Sequence, residues 1–251
     1  MKNIILLGSG NVATHLGTAL KNSNYNILQV YSKSIENAKL LSEKLDAHFT
    51  NDLTKLKSAD LIIVSIKDDA ISIVLSQIKN TAVVHTSGSI GLNIFEKKFS
   101  NHGVFYPLQT FNKDVDMDVS EIPFCIEGNS LKFENKLVEI AKALSCNVVK
   151  MNSHQIKKLH IAAVFACNFS NHMYSIANDM LEKNNIDFKI LLPLIKKTIT
   201  NLEKENPRQV QTGPAKRKDI AVIQEHLDTI KEEEIRDLYQ KISAHIIKYH
   251  E

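Results

Sequence analysis

The chain has 251 residues, of which 43% are hydrophobic and 24% are charged. This balance is typical of a globular protein long enough for two domains of ordinary size. The 31 basic residues are mixed with 28 acidic ones, so we expect neither a nucleic acid nor a membrane surface as a partner.

Apolar strand patterns alternate with helical patterns through the first half of the chain. In the first helix, Val12, Leu16 and Leu20 recur at helical spacing after a short apolar run. Seven segments are predicted as strands: 3–8, 26–32, 60–66, 82–87, 103–107, 122–128 and 146–151. The alternation predicts an α/β fold, with a Rossmann-type, mostly parallel sheet that is covered by helices on both faces.

The strand pattern stops after residue 152. Helical spacing continues in later segments at 153–183, at 187–205, and in one or two helices between 215 and 249. We therefore expect a Rossmann dinucleotide-binding domain over residues 1–151 and an all-α domain over 152–251 that contributes to substrate binding and dimerisation. The helix at 188–202 is more apolar than a solvent-facing helix needs to be, which predicts a homodimer formed mainly through this second domain.

The segment Gly8–Ala13, GSGNVA, fits the dinucleotide-binding fingerprint GxGxxG/A. Gly8 permits the tight turn, and Gly10 lets the backbone approach a pyrophosphate. The N–H groups at the start of the helix, where Asn11 and Val12 stand, can bind the phosphates. Because the motif follows a strand and opens a helix, it favours a dinucleotide site over an ordinary glycine turn, which is the alternative.

The second predicted strand ends in Tyr31–Ser34, YSKS. An acidic residue at this place would bind the ribose hydroxyls of NAD, but the first carboxylate is that of Glu36. Ser32 and Lys33 instead offer a hydroxyl and a positive charge to a 2′-phosphate, which predicts NADP as the cofactor. The alternative is that Lys33 is a solvated surface residue.

Two further polar turns follow predicted strands. Ser65 stands at the end of the strand at 60–66, and Ser87 and Gly88 stand at the end of the strand at 82–87. Ligands of open parallel sheets bind at this edge, so all three residues are predicted cofactor contacts. A plain Ser-Gly turn is the alternative for the second pair.

The helix at 160–178 is predicted to be buried, because it has no Asp, Glu, Lys or Arg after His160. At about 100° per residue, one apolar face suits a core contact; it consists of Ala162, Phe165, Ala166, Phe169, Met173 and Ile176. His160 lies on the opposite face, with Asn168 at its margin. Since histidine exchanges protons near neutral pH, we expect His160 to be a proton donor and Asn168 to orient the substrate. The alternative is that these groups only satisfy each other's hydrogen bonds in a core.

The segment Gln211–Asp219, QTGPAKRKD, joins a Gly-Pro turn to a helix. Arg217 can clamp a substrate carboxylate, or it can pair with Asp219 at the surface. No spacing of His, Cys, Asp or Glu is typical of a zinc site, and no metal is expected.

The cysteines Cys125, Cys146 and Cys167 form no CxxC pair. We expect small buried side chains in a reducing compartment. The apolar run at Ile4–Leu7 is too short for the core of a signal peptide, and no uninterrupted segment reaches transmembrane length. These features predict a cytoplasmic protein.

Five blocks, GSGNVATHL, HTSGS, VFYPLQTF, HIAAVFACNFSNH and QTGPAKRKD, together resemble a bacterial family with a Rossmann-like domain followed by a helical domain of unassigned function. Members of that family are described as NADP-dependent oxidoreductases. The layout is similar to that of pyrroline-5-carboxylate reductase, prephenate dehydrogenase and the 6-phosphogluconate dehydrogenase group. The catalytic lysine of the last group has no counterpart three or four residues before Asn168, so its mechanism is not implied here.

The resemblance and the motifs predict an NADP-dependent oxidoreductase that transfers a hydride to or from a small-molecule substrate in a cleft between the domains. A nucleotide-binding sensor or interaction protein without turnover is the alternative, because such a protein needs only the cofactor half of the site. The sequence predicts neither the identity of the substrate nor the direction of the reaction.

Overall fold

The computed structural model describes residues 1–79, 82–96 and 98–250. Within them, a single sheet has the strand order β3-β2-β1-β4-β5-β6-β7-β8. Its strands are β1 (Asn3–Leu7), β2 (Asn26–Tyr31), β3 (His48–Thr50), β4 (Leu61–Val64), β5 (Ala82–His85), β6 (Asn101–Pro107), β7 (Phe124–Gly128) and β8 (Val148–Lys150). All neighbouring pairs are parallel except β6 and β7, which are antiparallel. The α/β fold with a mostly parallel sheet is confirmed, although the three-residue strand β3 was not predicted.

α-Helices connect β1 to β2, β2 to β3, β4 to β5 and β7 to β8, and helices make up the carboxyl-terminal part of the chain. The α-helices of the described residues are α1 (Asn11–Asn22), α2 (Ile35–Leu45), α3 (Asp68–Gln77), α4 (Leu131–Leu144), α5 (Ser153–Ala163), α6 (Ser170–Glu182), α7 (Leu192–Leu202), α8 (Pro214–Arg217), α9 (Ile220–Thr229) and α10 (Glu233–Tyr249). A π-helical segment, Val164–Phe169, joins α5 to α6. Short 3₁₀ turns lie at Leu53–Lys55, Leu92–Phe95 and Phe188–Leu191.

The predicted helical segment 215–249 contains three helices where one or two were expected. Lys218 has a left-handed backbone, with φ of 59°, and ends α8. Ile230 has an extended backbone and ends α9. Neither residue type signals the end of a helix, so these two breaks leave no mark in the sequence pattern.

The central strands are buried on both faces of the sheet. Ile4 in β1 belongs to the same core cluster as Leu16 of α1. Its neighbour Ile5 belongs to a second cluster, which includes Ile71 of α3. Successive strand residues point to opposite faces, and both faces here are covered by helices. This arrangement explains why the strands were recognisable as continuous apolar runs.

The chain divides into two compact units, Met1–His172 and Met173–Glu251. The last strand ends at Lys150, beside the predicted domain boundary, whereas α5 belongs to the first unit with the sheet. No helix in the described ranges combines the length and the apolar character that a membrane span requires.

The prediction that the helix at 160–178 is buried is wrong for the single chain. None of the residues from Ile161 to Asn178 is buried, and the side chains of Phe165 and Phe169 are 64% and 48% exposed. The π-helical segment also changes the angle between successive residues, so faces drawn at 100° per residue do not continue through it.

The prediction that all three cysteines are buried is also wrong. Cys125 is buried in β7, but Cys146 and Cys167 are exposed. Cys167 lies in the π-helical segment, and Cys146 follows α4 just before the last strand. Burial of a small apolar residue type depends on its position in the fold, which composition and spacing alone do not supply.

Candidate active site at the carboxyl edge of the sheet

The glycine turn after β1 is held close to two neighbouring strands. Gly8 has a φ of 125°, and its N–H donates to the carbonyl oxygen of Tyr31, 2.8 Å away. A Cβ atom at Gly8 would lie 2.0 Å from the carbonyl oxygen of Ser65. Both the backbone conformation and the packing therefore require glycine, as the fingerprint predicts.

Gly10 stands at the start of α1 and borders open space. A Cβ atom on Gly10 would meet no heavy atom within 4 Å. No side chain caps α1, and its first turn has no acidic residue. The first N–H groups of a helix without such a cap are available to an anion. This turn, which leads into Asn11 and Val12, therefore fits the phosphates of a dinucleotide.

The side chain of Asn11 binds the loop that follows β6, a contact that the sequence did not predict. Its side-chain amide donates to the carbonyl oxygen of Phe111 at 2.9 Å, and its Oδ1 atom accepts from the N–H of Lys113 at 3.2 Å. His15 Nε2 lies 2.8 Å from the carbonyl oxygen of Asn112. These bonds hold the loop after β6 against the start of α1. Because both polar groups of the Asn11 side chain are used in them, the predicted cofactor contact of Asn11 can come only from its backbone N–H.

The turn after β2 presents hydroxyl groups and one lysine. The hydroxyl of Ser9 donates to Oγ of Ser32 at 2.8 Å. Ser34 caps α2 by accepting from the N–H of Asn37 at 3.2 Å, and it donates to the carboxylate of Glu36. Lys33 is exposed, and no ion pair joins it to another residue in the described part of the chain. Its charge is available to a ligand.

The turns after β4 and β5 meet at the same edge. The hydroxyl of Thr86 donates to Oγ of Ser65 at 3.1 Å. Oγ of Ser87 accepts from the N–H groups of Ser89 and Ile90, at 3.0 and 3.2 Å. The structure therefore brings Gly8, Ser65 and Thr86 together, and it holds the Ser87 turn rigidly beside them.

Tyr106 and His160 form a hydrogen-bonded pair next to this turn. The Tyr106 hydroxyl lies 2.9 Å from His160 Nδ1, and a Cβ atom on Gly88 would be 2.7 Å from Cζ of Tyr106 and 2.9 Å from Cγ of His160. Burial raises the pKa of Tyr106 to about 12, with the nearby Cys125 acting in the same direction. Tyr106 is therefore protonated at neutral pH, and its hydroxyl can donate to Nδ1 of His160 or accept from an Nδ1–H group, according to the tautomer of the imidazole.

The start of α5 is anchored to the sheet, which fixes the position of His160. Asn152 caps the helix by accepting from the N–H of Gln155 at 2.9 Å. Oγ of Ser153 accepts from the N–H of Leu92 at 3.0 Å, and the Ser153 hydroxyl donates to the carboxylate of Glu127. Burial raises the pKa of Glu127, against the effect of its bond to Ser153.

A second histidine, His85 at the end of β5, is inaccessible. Its Nδ1 accepts from the N–H of Ser87 at 3.2 Å, and its ring stacks on Phe95 with a centroid distance of 5.4 Å. Nε2 has no hydrogen-bond partner among the described residues. Burial lowers the pKa of His85 to about 4, so this residue is neutral under physiological conditions.

Two of the predicted catalytic residues are not part of these hydrogen-bonded clusters. Asn168 is exposed in the π-helical segment. Arg217 belongs to the second compact unit and forms an exposed ion pair with Asp219, with an N–O distance of 2.8 Å. Sequence analysis did not single out Tyr106, because this residue lies within the apolar pattern of a strand. A hydroxyl inside such a run, at a strand end, is the signal that could have revealed it.

Two family models match the chain. Residues 3–87 match a family described as NADP oxidoreductase, coenzyme F420-dependent, and residues 122–246 match a domain of unknown function, DUF2520. No curated protein matches the chain.

Three solved structures show the same fold. The putative NADP oxidoreductase BF3122 from Bacteroides fragilis is 42% identical over 98% of both chains, with a TM-score of 0.93. The 1-pyrroline-5-carboxylate reductase from Streptococcus pyogenes is 15% identical over 98% of both chains, with a TM-score of 0.65. The prephenate dehydrogenase from A. aeolicus, in complex with hydroxyphenyl propionate and NAD+, is 15% identical over 99% of this chain and 94% of that one, with a TM-score of 0.56.

At 15% identity, the similarity to the pyrroline-5-carboxylate reductase and to the prephenate dehydrogenase shows a shared fold alone. The similarity to the Bacteroides fragilis protein shows a shared family, because it combines 42% identity with coverage of 98% of both chains. The resemblance inferred from the sequence blocks is confirmed. This chain belongs to the same family as that putative NADP oxidoreductase, and its two parts match the models of the coenzyme F420-dependent NADP oxidoreductase family and of DUF2520.

Proposed function

We propose that the protein is an NADP-dependent oxidoreductase that transfers a hydride to or from a small-molecule substrate at the carboxyl edge of its sheet. The observation that carries this proposal is the Tyr106–His160 pair, 2.9 Å apart, which lies beside Gly88 after β5, at the same carboxyl edge of the sheet as the glycine turn. A protein that only sensed the nucleotide would need the glycine turn but not a proton-transferring pair beside it.

Ser32 and Lys33 are the residues that would select NADP over NAD. Ser32 accepts from Ser9, which leaves its own O–H free to turn towards a phosphate, and Lys33 supplies a positive charge. The carboxylate of Glu36 is bonded to Ser34, whose hydroxyl lowers the pKa of Glu36. The backbone at Gly10, Asn11 and Val12 would hold the phosphates of NADPH, which would supply the hydride when bound.

His160 would move the proton that accompanies the hydride. The acid form of His160 is the imidazolium ion, in which Nδ1–H donates to the Tyr106 oxygen and Nε2–H faces the substrate. The Nε2 proton passes to the oxygen or nitrogen atom of a carbonyl or imine group, which becomes a hydroxyl or an amine, and His160 is left neutral with its remaining proton on Nδ1. In the opposite direction, the free lone pair of Nε2 removes the proton. Tyr106 acts as a positioning residue, since it reaches the substrate only through His160.

Asn168 and Arg217 are proposed to bind substrate. Asn168 is exposed and carries both a donor and an acceptor that can orient a polar group. Arg217 can exchange the carboxylate of Asp219 for that of a substrate, because its ion pair is exposed and such pairs are weak. We also propose a homodimer formed through the second unit. We also propose that the protein is cytoplasmic.

The test detects the transfer of deuterium from NADPH to any acceptor, so the substrate need not be known beforehand. The protein is incubated with NADPH deuterated at the transferable position, together with a panel of ketones, aldehydes and cyclic imines, and mass spectrometry detects deuterated products. We expect wild type to label at least one compound, and His160→Gln to do so about 100-fold more slowly with unchanged NADPH affinity. His154→Gln, an exposed histidine on the same helix, is the matched control and should behave like wild type. Tight NADPH binding without any labelled product would favour the sensor.

A further inference from the structure

The segment that joins β6 to β7, residues 108–123 and here named the β6–β7 loop, contacts the start of α1. In the sheet, β4 and β5 lie between β1 and β6. The β6–β7 loop nevertheless reaches α1, because the backbone of residues 111–113 bonds to the side chains of Asn11 and His15. The loop therefore extends from the end of β6, which carries Tyr106, to the helix that follows the glycine turn.

The contact with α1 holds this part of the loop in one position. Both polar groups of the Asn11 side chain take part, through the bonds to Phe111 and Lys113 described above. The side chain of His15 is buried. Its Nε2 atom bonds to the carbonyl oxygen of Asn112, and the rings of His15 and Phe111 lie 5.6 Å apart. A segment that is already ordered loses less conformational entropy when it binds a ligand.

This contact places Lys113 beside the start of α1. The N–H of Lys113 bonds to Oδ1 of Asn11, so only the side chain of Asn11 separates the backbones of the two residues. A lysine side chain is longer than an asparagine side chain, and Lys113 is exposed. Its ammonium group can therefore reach an anion at the first N–H groups of α1, where the space beside Gly10 is open. In the described ranges, no ion pair occupies this ammonium group.

The charges of the loop single out the same residue. Lys113 is the only basic residue of the β6–β7 loop. The loop also contains four acidic residues, which are Asp114, Asp116, Asp118 and Glu121. A loop with this excess of negative charge would repel the phosphates of a dinucleotide. Its single positive charge stands where the loop meets the start of α1, and every acidic residue follows that point.

We infer that Lys113 binds the pyrophosphate of the dinucleotide, and that Asn11 positions Lys113 by holding the loop. The inference rests on the proposed function, because it adds a residue to the same cofactor site. An ammonium group beside the N–H groups of a helix start gives a phosphate a charge-assisted hydrogen bond. NADPH and NADH share the pyrophosphate, whereas only NADPH has the 2′-phosphate proposed to bind Lys33. Lys113 therefore contributes affinity for either nucleotide, and Lys33 distinguishes between them.

Fluorescence titration with NADPH and with NADH tests the role of Lys113. We expect Lys113→Met to weaken the binding of both nucleotides equally, by about 10-fold, because one charge-assisted hydrogen bond is lost. Lys113→Arg keeps the charge and should restore most of the affinity. Lys136→Met removes an exposed lysine from the middle of α4 and should bind both nucleotides as wild type does. Since Lys113 is exposed, its replacement should leave the melting temperature unchanged.

A double-mutant cycle tests the positioning role of Asn11. Asn11→Ala removes both bonds to the loop but keeps the backbone N–H that faces the phosphates. In this background, Lys113→Met should lower the affinity for NADPH by no more than about 2-fold, because the loop no longer holds the lysine in place. The same 10-fold loss in both backgrounds would contradict the positioning role of Asn11.

The titrations separate this inference from the proposed function. If wild type binds both nucleotides and Lys113→Met binds them as tightly, the inference is wrong and the proposed function stands. A loss confined to NADPH would also overturn the inference, because it would place Lys113 at the 2′-phosphate. Wild type that binds neither nucleotide would overturn both.

Discussion

The hydroxyl of Tyr106 lies 2.9 Å from Nδ1 of His160, which joins the end of a central strand to the first helix after the sheet. With its pKa raised by burial to about 12, Tyr106 stays neutral, and its oxygen can accept a hydrogen bond from Nδ1–H of His160. This bond determines which nitrogen of His160 carries a proton, and so which nitrogen can serve a substrate.

Replacement of Tyr106 by phenylalanine removes the bond but keeps the ring. We expect the rate of turnover to fall by about 10-fold with unchanged affinity for NADPH, because His160 then spends part of its time in the wrong tautomer. Nitrogen-15 NMR of the neutral His160 side chain should show a single tautomer, protonated at Nδ1, in wild type and a mixture in Tyr106→Phe. A mixture of tautomers already present in wild type would contradict the positioning role.

Gly88 leaves no room for a side chain beside this pair. In Gly88→Ala the new Cβ atom would lie 2.7 Å from Cζ of Tyr106 and 2.9 Å from Cγ of His160, so one of the two rings must move. We expect a loss of about 1–3 kcal/mol in the free energy of unfolding, measured with urea, together with a loss of activity. Ser89→Ala, at the exposed neighbouring position, should change neither quantity. A fully stable and active Gly88→Ala protein would show that the two rings are not tightly packed here.

Lys33→Ala should lower the affinity for NADPH by about 10-fold and leave the affinity for NADH unchanged. Only NADPH carries a 2′-phosphate, and the substitution removes the positive charge that would bind this group. Fluorescence titration with both nucleotides measures the ratio. Lys39→Ala removes an equal charge from the same region, where the lysine is paired with Glu43, and should leave the ratio as in wild type. An unchanged ratio in Lys33→Ala would mean that Lys33 is a surface residue and that another group selects the cofactor.

His85 should make stability depend on pH. Its pKa is about 4 in the folded protein against an ordinary value of 6.5, so between these values the unfolded chain binds more protons. The contribution of His85 to the free energy of unfolding is fully present above pH 6.5. As the pH falls from 6.5 towards 4, this contribution is lost by up to about 1.4 kcal/mol per pH unit, and the total loss is on the order of 3 kcal/mol.

Urea unfolding of wild type and His85→Phe between pH 7 and pH 4.5 isolates this contribution, since phenylalanine can still stack on Phe95 but does not titrate. We expect the stability of wild type to decline more steeply towards low pH than that of the variant. Parallel curves would mean that the imidazole of His85 reaches solvent.

The sheet and the glycine turn could be predicted because each depends on local pattern. Central strands buried on both faces give apolar runs such as that around Ile5, and the conformation of Gly8 is one that only glycine adopts readily. The same reasoning placed His160 on a polar helix face and Gly88 at a strand end. It did not show that the two are in contact, because that contact depends on how α5 packs against β6.

The remaining parts of the structure depend on distant contacts. Tyr106 was hidden in an apolar strand, and its function follows only from the ring of His160, 54 positions along the chain. The burial of Phe165 and Phe169 was predicted from helical spacing, but spacing cannot say whether the covering surface belongs to the same chain. The π-helical segment also has no recognised sequence signal, and it breaks the 100° periodicity on which that prediction depended.

The most direct test of the dinucleotide site is calorimetric titration of Gly10→Asp with NADPH. Gly10 has an extended backbone at the start of α1, where aspartate is a favourable helix cap, so the thermal stability of the variant should equal or exceed that of wild type. The same carboxylate would compete with the phosphates for the N–H groups and repel them. Ser130→Asp, which adds the same charge at the start of α4, is the control. We predict that wild type and Ser130→Asp bind NADPH equally and that Gly10→Asp does not bind it; equal binding by all three proteins, or no binding by wild type, would contradict the proposed function.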